Sequence, residues 1–318
     1  MEDLTLGVLN LRSNNLTGSI SDVFRSNCGL QTLDLNENQL EGKLSKSLAK
    51  CKKLEVLDIG NNYIKDTFPC YLKNIIMLRV LVLRSNEFYG PVGCPGRNAT
   101  WPKLQIKDIA SNNFTTLSGY VYYQDVVTVT AKGQPMELVK ILTIFISLDF
   151  SCNNFEGPIF EEIGELKSLY IFNLFHNSFT GQIPQSLGKL TYLKSLDLSS
   201  NKLTGEIHVQ LADGLIFLSV VNLSFNQLVR KIPQIKQFDT FSETLYDGNN
   251  GLCGFPMRGK CTHEELRSSP PTYEDTHSNF GNAIDWNFLS DELRFVFGFG
   301  IVVGPLMFWK RWRIYMLL

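Results

Sequence analysis

The chain carries almost no surplus of charge: 30 Lys and Arg stand against 31 Asp and Glu in 318 residues, a formal net charge of −1. A phosphate-binding face needs a cationic excess somewhere, so this balance argues against a nucleic-acid protein. Histidines are few, with His176, His208, His263 and His277 scattered, and no Cys-x-x-Cys occurs; neither spacing suits a metal site. No glycine-rich stretch runs into Gly-Lys-Ser/Thr, which removes the phosphate loop. No nucleophile, base and orienting acid fall together, so nothing points to an enzyme or calls for a cofactor. A cationic, apolar secretory leader is missing before Leu6 and Leu9. With 44% hydrophobic and 19% charged residues, the chain is too apolar for disorder and too polar for a multi-span membrane protein.

What is abundant is one pattern. Leu-x-Leu-x-x-Asn-x-Leu/Phe-x-Gly-x-Ile recurs as LNLRSNNLTGSI, LDLNENQLEGKL, LDLSSNKLTGEI and related segments. Its asparagines are Asn14, Asn38, Asn62, Asn86, Asn112, Asn153, Asn177, Asn201 and Asn226, separated by 24, 24, 24, 26, 41, 24, 24 and 25 residues. That period belongs to a leucine-rich repeat and overrules the two globular domains that length alone suggests. The two leucines alternate with an outward residue, so each unit is half a strand's worth of core that only stacking can bury. The asparagine turns inward to satisfy backbone groups of adjacent turns, and the glycine four residues later allows a tight bend. The fold class expected is an α/β-type repeat: a solenoid with a parallel β-sheet on its concave face, an insertion, a C-terminal cap and a single C-terminal transmembrane helix.

The 41-residue gap holds an irregular island, read as residues 115–143 between repeat blocks 1–114 and 144–237. Its VVTVTAKG stretch alternates like a short strand ending at Gly133, and Tyr120, Tyr122 and Tyr123 make it a candidate contact surface. A packed linker is the bland alternative. After the repeats, residues 238–262 read as a cap stapled by Cys253 and Cys261. Cys70 and Cys94 both lie eight residues after their asparagines, at stacking phase for a disulfide; Cys28 and Cys51 are a looser pair, which leaves Cys152 as the odd thiol. Asn-x-Ser/Thr sequons at Asn15, Asn98, Asn113 and Asn222 are candidate glycosylation sites of a secreted solenoid.

Beyond the cap, residues 263–292 form an acidic stalk, with seven acids between Glu264 and Glu292 against Arg267 alone. Phe295 to Trp309 is fifteen residues without a charge. Counting Leu293 and letting Arg294 snorkel gives a span of residues 293–309, at the ~17-residue lower limit for crossing a bilayer. Lys310, Arg311 and Arg313 place the tail, 310–318, in the cytosol. Gly300 and Gly304 leave one helix face open to a partner helix.

NCGLQTLDLNENQLEGKL, LRVLVLRSN, SCNNFEGPI, LDLSSNKLTGEI, GLCGFP and PLMFWKRW together resemble plant leucine-rich-repeat receptor-like proteins, most nearly the Verticillium-wilt-resistance type. The resemblance covers essentially the whole chain as the C-terminal portion of such a receptor, apparently N-terminally truncated. It implies a single-pass plasma-membrane immune receptor with extracellular repeats and a cytoplasmic tail. It implies a pathogen-derived protein or peptide ligand and signalling through receptor kinases. The adaptor kinase contact falls on Gly300, Gly304 and the acidic stalk, and the co-receptor contact on the C-terminal repeats. The sequence departs from the family pattern at Ser45 and His208, where proline is usual, and at Arg230, where glycine is usual.

Outward strand positions include Arg12, Asp34, Asp58, Arg84, Asp108, Asp149, Phe175, Asp197 and Ser199. The aspartate column is ordinary repeat usage and reads as a solvated face. Phe175, His176, Ser199 and Ser200, on the repeats after the island, are the candidate partner-binding set. Two other readings stand beside the receptor: a soluble decoy or inhibitor module, and a non-functional remnant.

Overall fold

A computed structural model describes residues 6–94, 101–117, 124–131, 134–141, 146–257 and 261. Among them a nine-stranded parallel sheet, from Val8–Asn10 through Ile106–Asp108 and Ser147–Asp149 to Val220–Asn222, follows chain order without a crossover. One three-residue strand comes from each repeat. Cα register steps by one unit, as in Leu33 opposite Leu57 opposite Leu81. Short 3₁₀ turns such as Lys46–Lys50 and Gln185–Lys189, and an α-helix at Val209–Gly214, return the chain along the opposite side.

The core is the summed inward face of these coils. Leu33, Leu57, Leu81, Leu148, Phe172, Leu196 and Val221 are all buried at the first apolar position. Two residues after the ladder asparagines, Phe88, Phe114, Phe155 and Phe179 form a spine with successive centroids 6.1, 6.3 and 5.9 Å apart and nearly parallel rings. Offset stacking of this kind adds about 0.5–1.5 kcal/mol per pair beyond area burial.

The asparagines wire the coils together. Asn62 Nδ2 lies 3.0, 3.1 and 2.9 Å from the carbonyls of Leu35, Ile59 and Gly60, and its Oδ1 accepts the Leu40 N–H at 3.0 Å. One side chain therefore satisfies backbone groups of its own turn and of the preceding coil, which buried turns require. The residue before each of the nine asparagines sits in the left-handed region, from Ser85 at φ 50° to Glu37 at 57°. Four residues after the asparagines, six glycines from Gly18 to Gly205 have φ between 76° and 86°; Arg230 adopts φ 74° at the same position.

The insertion does not interrupt this wiring. Ile106–Asp108 pairs directly with Ser147–Asp149, and Asn153 reaches back to the Ile109 carbonyl at 3.0 Å while accepting the Phe114 N–H at 3.1 Å. The lateral strand Asn113–Leu117 runs three residues into the stretch assigned to the island, because Phe114 belongs to the spine and Leu117 pairs with Val92. The island itself contains an antiparallel hairpin, Gln124–Ala131 with Gln134–Ile141. The expected single strand ending at Gly133 is thus the first arm of a pair, ending at Ala131.

The cap is also more regular than its sequence. Asn249 repeats the ladder contacts, donating to Leu223, Tyr246 and Asp247 carbonyls at 2.9, 2.9 and 3.3 Å and accepting the Leu228 N–H at 3.0 Å. Gly251–Cys253 then pairs in parallel with Gln227–Lys231. Asn249 thus adds a tenth rung to the ladder. The stalk, the proposed span 293–309 with Gly300 and Gly304, the tail, Asn98 and the three island tyrosines lie outside the described residues. Among the described residues no helix is long and apolar enough to cross a membrane.

Candidate recognition face

The concave sheet is where a solenoid presents side chains from many repeats to one partner. Its aspartate column is not the solvated face expected of it. Asp108 and Asp149 are each 3% exposed and Asp34 is 8% exposed. The cause is local: each carboxylate folds back along its own strand to accept the N–H two residues on. Asp58 takes the Gly60 N–H at 3.0 Å and Asp108 the Ala110 N–H at 3.1 Å. Asp149 takes both N–H and hydroxyl of Ser151, at 3.1 and 2.7 Å. These are Asx turns, which tighten the exit from a three-residue strand.

Charges in the first block are further tied to one another. Arg84 Nη1 lies 3.1 Å from Asp108 Oδ2. Asn36 Nδ2 reaches Asp58 at 2.8 Å, and Asn61 Nδ2 reaches Asn36 Oδ1 at 3.1 Å. Burial, with the Asp149 charge beside it, holds the Asp108 carboxyl well above the ordinary carboxylate range, against the opposing pull of Arg84. Burial works against the Arg84 guanidinium too, but Asp108 and Asp149 outweigh it and keep it protonated. On the inward face of the same strand, Lys107 stands where other repeats have Leu, Phe or Val. It is buried, with its ammonium 4.5 Å from the Phe68 ring centroid and 5.2 Å from that of Phe150, and desolvation brings its pKa down to about 7.

Beyond the island the face changes. Phe175 is half-buried with its ring 5.6 Å from that of His176, which is exposed in a left-handed turn at φ 53°. Ser200, half-buried, occupies the equivalent turn of the next coil. Ser199 is a correction: it is 1% exposed, because its hydroxyl donates to Asp197 Oδ1 at 2.6 Å and turns away from solvent. Only Phe175, His176 and Ser200 of that set are presented. The missed residues are Tyr192 and Phe217, 55% and 52% exposed and stacked at 6.3 Å in the turns that lead into strands Ser195–Asp197 and Val220–Asn222, with Val220, 56% exposed, three residues after Phe217. The sequence does carry a signal for them: both rings sit two residues after the leucine closing the 3₁₀ or helical turn, Leu190 and Leu215, just before the next buried leucine.

The cysteines pair as Cys28–Cys51, Cys70–Cys94 and Cys253–Cys261, with Cα separations of 4.8, 5.3 and 5.1 Å, and Cys152 stands outside these bridges. Asn15 and Asn113 are exposed, whereas Asn222 is half-buried on the concave sheet. Among the described residues no group of three or more His, Cys, Asp or Glu is placed to hold a metal ion.

Comparison with known proteins agrees with this architecture. Leucine-rich-repeat family profiles match residues 28–74, as a two-copy unit, and residues 5–27, 168–190 and 189–209. Receptor-like protein 35 of Arabidopsis thaliana is 39% identical over 195 residues, 52% of this chain and 20% of that protein. The repeats of this chain are similar to those of plant receptor-like proteins. Receptor-like protein 34 of the same plant is 40% identical over 203 residues, 55% of this chain and 20% of its own length. The chain therefore matches about a fifth of each of these two relatives. Among solved structures, the Arabidopsis receptor kinase HAESA, in complex with the peptide hormone IDA and the co-receptor SERK1, superposes with a TM-score of 0.57 at 27% identity. That match covers 78% of this chain and 42% of HAESA.

Proposed function

We propose that this chain is the ligand- and partner-binding part of a plasma-membrane receptor-like protein of plant immunity, of the Verticillium-wilt-resistance type. It recognises a pathogen-derived protein or peptide and signals through receptor kinases. Residues 293–309 anchor it, residues 263–292 and the Gly300/Gly304 face engage an adaptor kinase, and residues 310–318 lie in the cytosol. The observation that carries this reading is the exposed, stacked pair Tyr192 and Phe217 on the post-island repeats, an aromatic composition expected of an interface centre. Phe175 and His176 are presented at the opposite, exit end of the strands. HAESA, similar to this chain in fold and sequence, is captured with both a peptide and a co-receptor kinase.

The test is retention of a SERK1-type co-receptor ectodomain by the immobilised full chain, in the presence of a wilt-pathogen extract. Capture that falls at least about tenfold on Tyr192→Arg with Phe217→Arg supports the reading; a loss of ~1.4 kcal/mol suffices for that. Capture that is absent, or indifferent to both changes, overturns it.

A further inference from the structure

Three of the sequons fall on described residues, and their surroundings differ. Asn222 lies on the concave strand, where its Oδ1 accepts both the N–H and the hydroxyl of Ser224, at 3.2 and 2.8 Å. The hydroxyl of that sequon is therefore locked onto its own asparagine. Asn15 is exposed on the terminal coil. Asn113 opens the lateral strand Asn113–Leu117, with Asn113 and Thr115 exposed and Phe114 between them buried in the spine.

The Asn113 amide is also oriented. Asn154 Nδ2 donates to its Oδ1, which fixes the amide plane, and among the described residues no hydrogen bond leaves Asn113 Nδ2. Nδ2 is the atom that N-glycosylation modifies, while Oδ1 stays an acceptor in the product, so the Asn154 contact is compatible with the modified state. Across the parallel pair, the Cα register partner of Asn113 is Tyr89, 41% exposed. Neighbouring strands lie ~4.8 Å apart, so two outward side chains in register stand side by side. Both belong to the lining of a cleft of about 280 Å³, together with Asn86, Ser111, Asn112 and the Lys65–Glu87 ion pair, whose Nζ–Oε2 distance is 3.5 Å. Its lining combines one aromatic ring with polar side chains, a composition that suits a pyranose with a C–H face and hydrogen-bonding edges.

We propose that Asn113 carries an N-linked glycan whose first N-acetylglucosamine seats in this cleft against Tyr89. This rests on the secretory placement assumed for the receptor. In the step itself, Asn113 Nδ2 gives up one proton and bonds to the anomeric carbon of the sugar. The pyrophosphate of a lipid-linked oligosaccharide donor leaves, and a transferase of the secretory pathway supplies donor and catalysis. Seated there, the sugar covers the lateral sheet where the chain departs into the island and leaves the concave face open. Tyr89 is a positioning residue: it holds the sugar and takes no part in the transfer.

The experiment uses the full chain behind a supplied secretory leader, in a plant host held to high-mannose glycans. Supplying the leader separates this test from the question of native secretion, which expression without it addresses. Glycopeptide mass spectrometry reads occupancy at Asn113. Thermal melts then compare the intact glycan, a single N-acetylglucosamine left by endoglycosidase, and complete removal. The expected result is an occupied Asn113, and a melting temperature that falls by ~2–4 °C on complete removal but not on trimming to one sugar. In Tyr89→Ala the fall should shrink by at least half, and in Asn113→Gln, which leaves the other sequons intact, it should vanish. An unoccupied Asn113, or an equal fall with and without the Tyr89 ring, overturns the proposal.

Discussion

The two repeat blocks on either side of the island are built from the same coil and use their outward residues differently. Before the island, polar groups reach across strands: Arg84 to Asp108, Asn36 to Asp58, Asn61 to Asn36. After it, turns are closed chiefly by their own side chains, with Ser199 on Asp197 and Ser224 on Asn222, and a side-chain hydrogen bond between Asp197 and Asn222 joins the adjacent strands. A charge already paired to its neighbour has little left for a ligand without first losing that bond. A ring standing on a self-satisfied coil has its whole exposed area to offer. On the function proposed above, the first block supplies rigidity and the second recognition, and that division can be broken residue by residue.

The largest effect belongs to the rung that joins the blocks. Asn153→Ala removes the acceptor of the Phe114 N–H and the donor to the Ile109, Phe150 and Ser151 carbonyls. Orphaned buried backbone groups cost ~1–3 kcal/mol each, so a loss of about 3–5 kcal/mol is expected. Hydrogen exchange should register it first at the Phe114 amide, since a stack of coils opens locally. Asn14→Ala is the control. That exposed residue donates to the Leu11 and Arg12 carbonyls of its own turn, and its loss should cost well under ~1 kcal/mol. Equal costs at the two positions would remove the ladder as the source of continuity across the island.

Next in size is the buried pair of titrating residues at the end of the first block. The Lys107 pKa falls to about 7 in the fold, below its unfolded value. As pH drops from ~10.4 towards 7 the unfolded chain takes up a proton that the fold refuses, and stability falls. Asp108 has the opposite sense: its raised pKa lets the fold keep a proton that the unfolded chain releases. Stability therefore also declines as pH climbs from ~3.9 through that raised value. Together they place a dip near neutrality. Lys107→Met should fill its alkaline side, gaining on the order of 3 kcal/mol at pH 7, and Asp108→Asn should flatten the acid side. Urea unfolding from pH 4 to 10 measures both slopes, and a wild-type profile that rises through pH 5–7 would contradict the Asp108 assignment.

How far the sequence carries can be judged at particular residues. The period, the ladder and the out-of-place Arg230 are visible because stacking forces the same chemistry into the same phase every 24 or so residues. Asn249 escaped notice because its coil reads Leu245-Tyr246-Asp247-Gly248, without the Leu-x-Leu pair, although it lies 23 residues after Asn226. The fit is nonetheless physical. A Cβ on Gly248 would stand 2.6 Å from the Phe225 ring, so the rung closes only with glycine. The second hairpin arm, Gln134–Ile141, carries Pro135 and no repeat phase, and nothing but its pairing defines it. Ser199 shows the limit of periodicity, which fixes the face a residue starts from and not the bond its side chain turns to make.

A smaller gain is expected at Arg230. Its Cβ is strained in a left-handed turn that glycine occupies elsewhere, a penalty of ~1–2 kcal/mol, offset by ~0.5–1 kcal/mol of chain entropy that glycine would lose on folding. The exposed Arg230–Glu206 contact at 3.3 Å offers little in return. Arg230→Gly should raise stability by about 0.5 kcal/mol, readable as a higher urea midpoint with unchanged slope.

The smallest effect tests the self-satisfied character of the second block most directly. Asp197 Oδ1 accepts the Ser199 N–H at 2.9 Å and its hydroxyl at 2.6 Å, and burial raises its pKa. Asn173 and Asn222 fill the same column, and their amide oxygens accept the equivalent N–H of Phe175 at 2.9 Å and of Ser224 at 3.2 Å. The turn needs an acceptor there and has no use for the charge. Asp197→Asn should therefore shift stability by less than ~0.5 kcal/mol at pH 7, the amide replacing a charged acceptor while sparing a buried carboxylate. Asp108→Asn, by contrast, removes a carboxyl whose ionisation the fold resists even beside Arg84, and should gain stability at alkaline pH, less what Arg84 loses with its partner. If the two substitutions change stability equally across that pH range, the charges of the second block are held by their neighbours as those of the first are, and the division of labour between the blocks fails.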